Sequence, residues 1–252
     1  LRPLAVIILA AGKGTRMNSP DLAKVMFPIN GKPMLEYVVN VAVSAGSSRI
    51  VIVVGWQKDS VISHFRHRSK ELLFVEQFPQ LGTGHAVMQA EQALEGFDSD
   101  VLVLSGDVPL LSSKTISSLV GHHRETHASA TVLTAIVDDP AGYGRIIRNG
   151  AGMVSAIIED KDATNEERAV REVNSGIYVF DKNSLFEALR HITPDNAQKE
   201  YYLTDVFAFF QRTKAGVAAL ASKDWRETAG INTLQQLEEA RELMAGLVDN
   251  QK

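Results

Sequence analysis

Gly12-Lys13-Gly14-Thr15-Arg16 ends a hydrophobic run with two glycines and two cations, and a further cation, Lys24, follows in LAKVMFPI. Glycine lets backbone N–H groups approach an anion, and consecutive amides form an anion-binding nest. An Arg fork matches phosphate oxygens in pairs, and Lys adds a compact charge. The chemistry on offer is phosphate binding and charge neutralisation. The loop is not a dinucleotide fingerprint, because Met17 stands where the third glycine belongs. Nor is it a Walker A loop, because Lys13 lies inside the glycine pair without the G-K-[ST] ending. Taken alone, the stretch also reads as a tight strand-to-helix turn, and Lys24 as a solvated surface residue.

Other polar residues carry two readings each. Asp107, in SGDVPL, is a Mg²⁺ ligand, a helix cap or a turn residue. Mg²⁺ favours few protein ligands completed by phosphate oxygens and water. Asn232, just before TLQQLEEA, reads as the N-cap of a tail helix. Gln77 reads as a polar strand-edge residue, Gly82-Thr83 as a helix-capping turn, and Glu159 as part of the solvated charge run EDKD. Tyr201 and Thr204, in EYYLTD, read as packing residues of an amphipathic helix. His122, His123 and His127 contain one i, i+4 pair but no companion Glu, so an exposed polar face is expected rather than zinc.

Positioning these groups requires a scaffold, and the hydrophobic pattern describes one. Buried strands are expected at 4–11, 50–55, 72–77 and 101–107, with helices at 33–46, 58–65 and 83–94 between them. Such alternation implies parallel strands with right-handed crossovers, hence an α/β doubly wound sheet. Ligands of such sheets sit outside the carboxyl ends of the strands, where 12–16, 80–85 and 105–109 fall. The second half is mixed: strands at 129–137, 173–180 and 216–222, a hairpin over 143–160 turning at Asn149-Gly150, and helices at 181–192 and 200–213. The sheet is therefore expected to be mixed but mostly parallel. One domain over 1–232 is expected, followed over 233–252 by an amphipathic helix with Leu234, Leu237, Leu243 and Leu247 on or near one face.

Composition narrows the classes. A net charge of −4 over 252 residues argues against non-specific nucleic-acid binding. No apolar run approaches the roughly 18 residues of a membrane span. With no cysteine there is no disulfide, thiolate nucleophile or zinc–sulfur site. A cytoplasmic protein binding neither nucleic acid nor membrane is expected.

LAAGKGTRM and LAKVMFPINGKPML resemble the signature of sugar-1-phosphate nucleotidylyltransferases. QLGTGHA, SGDVPL, GYGRII, IIEDKDAT, VNSGIYVF, EYYLTDV and GIN then follow in the family's order. Over about residues 4–232 the set is most similar to the uridylyltransferase domain of the bacterial bifunctional enzymes that also carry a β-helix acetyltransferase domain. The resemblance implies a Rossmann-like nucleotidyltransferase fold and transfer of UMP from UTP to N-acetylglucosamine 1-phosphate, with Mg²⁺. It implies that Arg16 and Lys24 are catalytic and that Asp107 and Asn232 hold the metal. Nucleotide contacts fall to Leu9, Ala10, Ala11, Gly12, Gly14, Gln77, Gly82 and Thr83, and sugar contacts to Gly144, Glu159 and Asn174. Gln77 is expected to donate to uracil O4 and accept from N3–H, although a flipped amide suits cytosine. The resemblance does not reach the β-helix, so a monomer or weak dimer without acetyl transfer is expected. Another hexose 1-phosphate or NTP, or sugar-nucleotide binding without catalysis, are the alternatives.

Overall fold

The computed structural model describes residues 2–17 and 21–249. The chain runs β1 (Leu4–Ala10), β2 (Pro28–Ile29), β3 (Lys32–Pro33), α1 (Met34–Ser44), β4 (Arg49–Val54), α2 (Lys58–His64), β5 (Leu72–Glu76), α3 (Thr83–Met88) and β6 (Asp100–Ser105). It continues through α4 (Ser113–Thr126), β7 (Ala130–Ile136), β8 (Arg145–Arg148), β9 (Val154–Ile158), α5 (Asn165–Arg168) and β10 (Glu172–Asp181). It ends with α6 (Lys182–Leu189), α7 (Val206–Thr213), β11 (Val217–Ala221) and α8 (Leu234–Asp249).

Among the described residues, nine strands form one sheet in which β11-β7-β10-β6-β1-β4-β5 lie side by side and the β8–β9 hairpin attaches to β10. β1 pairs parallel with β4 and β6, β4 with β5, and β7 with β11. Only β10 runs against the others along this path, antiparallel to both β6 and β7. The sheet is mixed and mostly parallel, and β1 sits near its centre.

Strand periodicity builds the two layers. Along β1, Ala5 and Ile7 join one core cluster, and Leu4, Val6, Ile8 and Ala10 join the other. β4 divides the same way, Val51 and Val53 against Ile50, Ile52 and Val54. Helices cover both faces, so both alternating sets are apolar. Each fully buried aliphatic chain contributes about 1.5–3 kcal/mol of transfer free energy, before conformational entropy opposes it.

A smaller third cluster matters more for the site. Met17, Ile29, Met34, Ile231, Leu237 and Ala240 pack together, so α8 folds back onto the first loop and the start of α1. The inward face of α8 is Leu237 and Ala240, whereas Leu234 and Leu243 are exposed. That departs from the leucine stripe expected from sequence; the side chain of Leu247 lies outside the described residues. Among the described residues, no helix is long and apolar enough to cross a membrane.

Two helices and one histidine differ from expectation. The helix expected to 94 ends at Met88, with a separate 3-10 turn at Gln92–Leu94. The helix expected over 200–213 begins at Val206, after a 3-10 turn at Leu203–Asp205. Residues 200–202 stay extended because the Tyr201 carbonyl accepts from Gly84 N–H at 2.7 Å and the Tyr201 N–H donates to Leu81 O at 2.8 Å. His123 is buried, its Nδ1 2.8 Å from Thr131 Oγ1, so this histidine belongs to the α4–β7 packing and not to an exposed polar face.

Candidate functional site

The first loop leaves β1 with its backbone already braced. Leu9 O accepts from Gly106 N–H at 2.9 Å, and Ala11 O from Trp56 N–H at 3.1 Å. These bonds tie the end of β1 to the loops that follow β6 and β4. Gly14 has φ +59, and a Cβ there would lie 2.5 Å from the Lys24 Cβ. Only glycine both adopts that backbone and lets Lys24 pass beneath the loop.

Lys24 reaches past Gly14 to an ion pair with Asp107, and its Nζ donates to Asn232 Oδ1 at 2.9 Å. The pair is mostly shielded, with 14% and 16% side-chain exposure. Arg16, itself exposed, donates to the same Asn232 oxygen at 3.1 Å. Asn232 is free for this because Thr233 caps α8. Thr233 Oγ1 accepts from Gln236 N–H at 3.2 Å, and Gln236 Oε1 accepts from Thr233 N–H at 3.1 Å, a reciprocal capping box. The Asn232 Nδ2 donates to Gly230 O at 3.1 Å, which turns its oxygen toward the cations. The N-cap reading of Asn232 is thereby corrected by one residue.

The far wall is Gln77, 4% exposed at the end of β5. Its Nε2 donates to Gly82 O at 2.8 Å and lies 3.2 Å from His85 Nδ1. A carbonyl only accepts, so the NH₂ end must face Gly82, and the orientation of the amide is settled. One N–H is thus held by Gly82 O, and the amide oxygen is left to accept. Burial lowers the His85 pKa, and both ring nitrogens lie 3.2 Å from a glutamine NH₂, Nδ1 from Gln77 and Nε2 from Gln89.

A strap over 201–204 joins this wall to Glu159. Gly82 has φ +105, and a Cβ there would fall 2.6 Å from Tyr201 O, so the strap lies directly against it. Thr83 Oγ1 accepts from Leu203 N–H at 3.0 Å. On its other side the strap ends in Thr204, whose buried hydroxyl donates to Glu159 Oε1 at 2.9 Å. Burial pushes the Glu159 carboxyl up; the Thr204 hydroxyl opposes this, and Asp162 and Asp160 reinforce it. Neither Tyr201 nor Thr204 lies on an α-helix: Tyr201 is a backbone anchor in extended chain, and Thr204, in the 3-10 turn, orients Glu159.

Gly144 and Asn174 complete that side. Asn174 N–H donates to Gly144 O at 2.8 Å, and a Cβ on Gly144 would lie 3.5 Å from Glu159 Oε2. The Asn174 amide is held at both ends, donating to Tyr178 Oη at 2.7 Å and accepting from Gly176 N–H at 3.1 Å. It sits where the β10–β7 register shifts, between Asn174 and Tyr178. The pKa of the Tyr143 hydroxyl is raised by burial and by the Asp107 charge.

A cavity of about 520 Å³ collects most of these groups. Leu9, Ala10, Ala11, Gly12, Gly14, Lys24, Gln77, Gly82, Thr83 and Asp107 all line it. Asn232 joins through its bond to Lys24, and Arg16 through its bond to Asn232. Gly144, Glu159 and Asn174 form a separate group beyond the strap. A larger cavity of about 820 Å³ shares none of these residues, and its lining carries Asp224, Glu227, Glu239 and Glu242, the wrong charge for a phosphate.

Residues 5–242 match the nucleotidyl transferase family. The chain belongs to that family. Its cavity occupies the carboxyl ends of β1, β5 and β6, where open sheets of this kind hold ligands. The nucleotidyl transferase chain is 47% identical to bifunctional protein GlmU of Pelotomaculum thermopropionicum over 241 residues, 96% of this chain and 52% of that protein. It is 49% identical to bifunctional protein GlmU of Geobacter metallireducens over 237 residues, 94% of this chain and 49% of that one. The chain spans about half the length of the curated relatives it matches. A crystal structure of a UDP-glucose pyrophosphorylase complexed with UDP-glucose shares the fold, with TM-score 0.78, 20% identity, and coverage of 97% of this chain and 99% of that one.

The donor set suits a hard divalent cation in part. The Asp107 carboxylate and the Asn232 carboxamide oxygen converge on one point, where the Lys24 ammonium now bridges them. Two oxygens are too few to hold Mg²⁺ alone, and suffice when phosphate oxygens and water complete the shell. Among the described residues there is no cluster of three or more His, Cys, Asp or Glu that could hold a metal. Thr204 and Thr233 carry positioning roles that sequence reasoning did not assign. For Thr233 the signal was present as T-L-Q-Q, the capping box one residue after Asn232.

Proposed function

We propose that the chain transfers UMP from UTP to N-acetylglucosamine 1-phosphate, giving UDP-N-acetylglucosamine and pyrophosphate. One observation carries this reading. Lys24, Asp107, Asn232 and Arg16 converge at one end of a cavity whose other wall is the buried acceptor of Gln77. Cations thus stand where a polyphosphate belongs, and an acceptor stands where a uracil N3–H belongs. The motifs shared with uridylyltransferases, and near 47% identity to bifunctional protein GlmU, support the choice of UTP and this sugar phosphate.

The nucleophile is a phosphate monoester, already an anion near neutral pH because its second pKa is about 6. No general base is required, and none of Ser-His-Asp type is found among the lining residues. What the reaction needs is in-line positioning on the α-phosphorus and compensation of charge. Arg16, exposed at the rim, is placed to hold the leaving pyrophosphate. Lys24 screens the charge where the two substrates meet. Glu159, oriented by Thr204, accepts hydrogen bonds from sugar hydroxyls, and the Gly144 and Asn174 pair forms the wall beside it. Mg²⁺, held by Asp107 and Asn232, would neutralise phosphate charge when bound.

The decisive measurement is pyrophosphate release from the four NTPs against several sugar 1-phosphates, with and without Mg²⁺. Turnover is expected with UTP and N-acetylglucosamine 1-phosphate, abolished by Asp107→Ala and by Arg16→Ala. No turnover with any pair would overturn the proposal.

A further inference from the structure

Gly144, Glu159 and Asn174 lie before β8, after β9 and within β10, yet they meet across one short stretch of ladder. Arg145 pairs with Ile158 on one side and with Val173 on the other. Glu159 follows Ile158, Asn174 follows Val173, and Gly144 precedes Arg145. All three sugar-side residues are therefore one step from a single rung. A Cβ on Gly144 would lie 3.4 Å from Asn174 Cβ and 3.5 Å from Glu159 Oε2, so the three share one face. Successive side chains of a strand alternate between faces, which sends Arg145 to the opposite one. There its side chain is 2% exposed, and its guanidinium is divided among acceptors that flank the sugar-side residues. Nη2 donates to Asp160 Oδ1 at 2.9 Å, Nη1 to Tyr143 O, and Nε to Arg168 O at 3.3 Å. Asp160 is the residue after Glu159, and Tyr143 the residue before Gly144. Arg168 closes the circuit, donating to Asp160 O at 3.1 and 3.2 Å.

We infer that Arg145 is a positioning residue for the sugar phosphate: from the back of this rung its guanidinium fixes the chain beside Glu159 and Gly144, and so the angle at which they meet the sugar. A buried guanidinium is costly unless it is paired, and a planar fork fixes direction as well as distance. Lysine keeps the charge, but a point donor on a flexible stem cannot hold one carboxylate and two carbonyls in place. Arg145 touches no substrate; it acts through the residues one step away. The inference rests on the proposed sugar site and deepens it.

The test compares wild type, Arg145→Lys, Glu159→Gln and the double variant, by the kinetics of pyrophosphate release and by titration with UTP and with UDP-N-acetylglucosamine. Arg145→Lys is expected to raise KM for N-acetylglucosamine 1-phosphate about tenfold and to weaken UDP-N-acetylglucosamine binding about as much. UTP affinity and kcat are expected to change little. In the Glu159→Gln background the same step is expected to shrink to about threefold or less, because the brace acts largely through Glu159. Asp160→Asn, at a partly exposed residue, removes only the charge that holds the fork, and is expected to raise the sugar-phosphate KM about threefold. If Arg145→Lys does not fold, Asp160→Asn carries the test, and a wild-type KM there refutes the inference. Equal losses for UTP and the sugar phosphate, or a step undiminished by Glu159→Gln, would make Arg145 a general stabiliser and refute its role while the transferase reading stands. If no pair of substrates turns over but the titrations behave as described, the transferase reading fails and the role of Arg145 stands. If wild type neither turns over nor binds UDP-N-acetylglucosamine, both fall.

Discussion

Lys24 Nζ donates to Asn232 Oδ1 at 2.9 Å, joining the first loop of the chain to the residue that precedes its last helix. The same ammonium pairs with Asp107 at the end of β6. One cation thus connects three distant segments, and the C-terminal segment is part of the site rather than an appendage. α8 reinforces the link by packing Leu237 and Ala240 against Met17 and Met34.

Asn232 and Thr233 are adjacent but separable. Asn232→Ala removes the shared acceptor of Lys24 and Arg16 without touching the cap of α8. It is expected to lower kcat/KM for UTP by about tenfold to a hundredfold, with thermal stability nearly unchanged. Thr233→Ala removes the capping box and is expected to cost about 1 kcal/mol of stability. Paired melting curves and pyrophosphate-release assays distinguish the two. Equal effects of both variants on both measurements would refute the division of labour.

Gly14→Ala tests the close approach of Lys24. Its added methyl meets the Lys24 Cβ at 2.5 Å, on a backbone with φ +59. A loss of about 1–2 kcal/mol in stability is expected from strain, together with at least about a tenfold fall in kcat/KM as Lys24 is pushed aside. Gly12→Ala, where a Cβ would meet nothing within 4 Å, is the control and is expected to be milder on stability.

Thr204→Val leaves the buried Glu159 without its hydroxyl donor. KM for the sugar phosphate is expected to rise by about fivefold to tenfold, with kcat little altered. Thr204→Ser returns the hydroxyl and is expected to return the KM. A KM for UTP that rises in parallel would show that the strap, rather than the sugar contact, had failed.

Asp205 provides a pH-dependent signature. Burial, with the charges of Glu159 and Asp162 added, pushes its carboxyl up to about 6. In the unfolded chain the group ionises near 3.9. Between these values the folded state binds more protons than the unfolded, so stability falls as pH rises from about 4 to about 6 and then levels off. Asp205→Asn removes the penalty. It is expected to stabilise the protein by about 1–2 kcal/mol at pH 7.5, a figure discounted for solvent screening, and by almost nothing at pH 4. Melting temperatures across that range check it; a gain that is equal at both pH values would count against a titrating Asp205.

The sequence carried the central parallel strands, because buried strands and amphipathic helices write their period into the chain itself. It also marked Gly12, Gly14, Arg16, Lys24 and Asp107, since a bare loop and unpaired charges at strand ends are local features of sequence. The tertiary structure decided everything that depends on a partner from elsewhere. The extended strap at 200–202 reads as helix in isolation, yet the main-chain groups of Leu81 and Gly84 capture Tyr201 first. Thr204 is a packing residue until Glu159 arrives from β9 and its following turn. Asn232 and Thr233 compete for one cap, and only the bonds to Lys24 and Gln236 divide them. A glutamine amide has two ends of nearly equal shape, so its orientation is absent from sequence. The carbonyl of Gly82 sets it, because an acceptor tolerates only a donor across 3 Å or so.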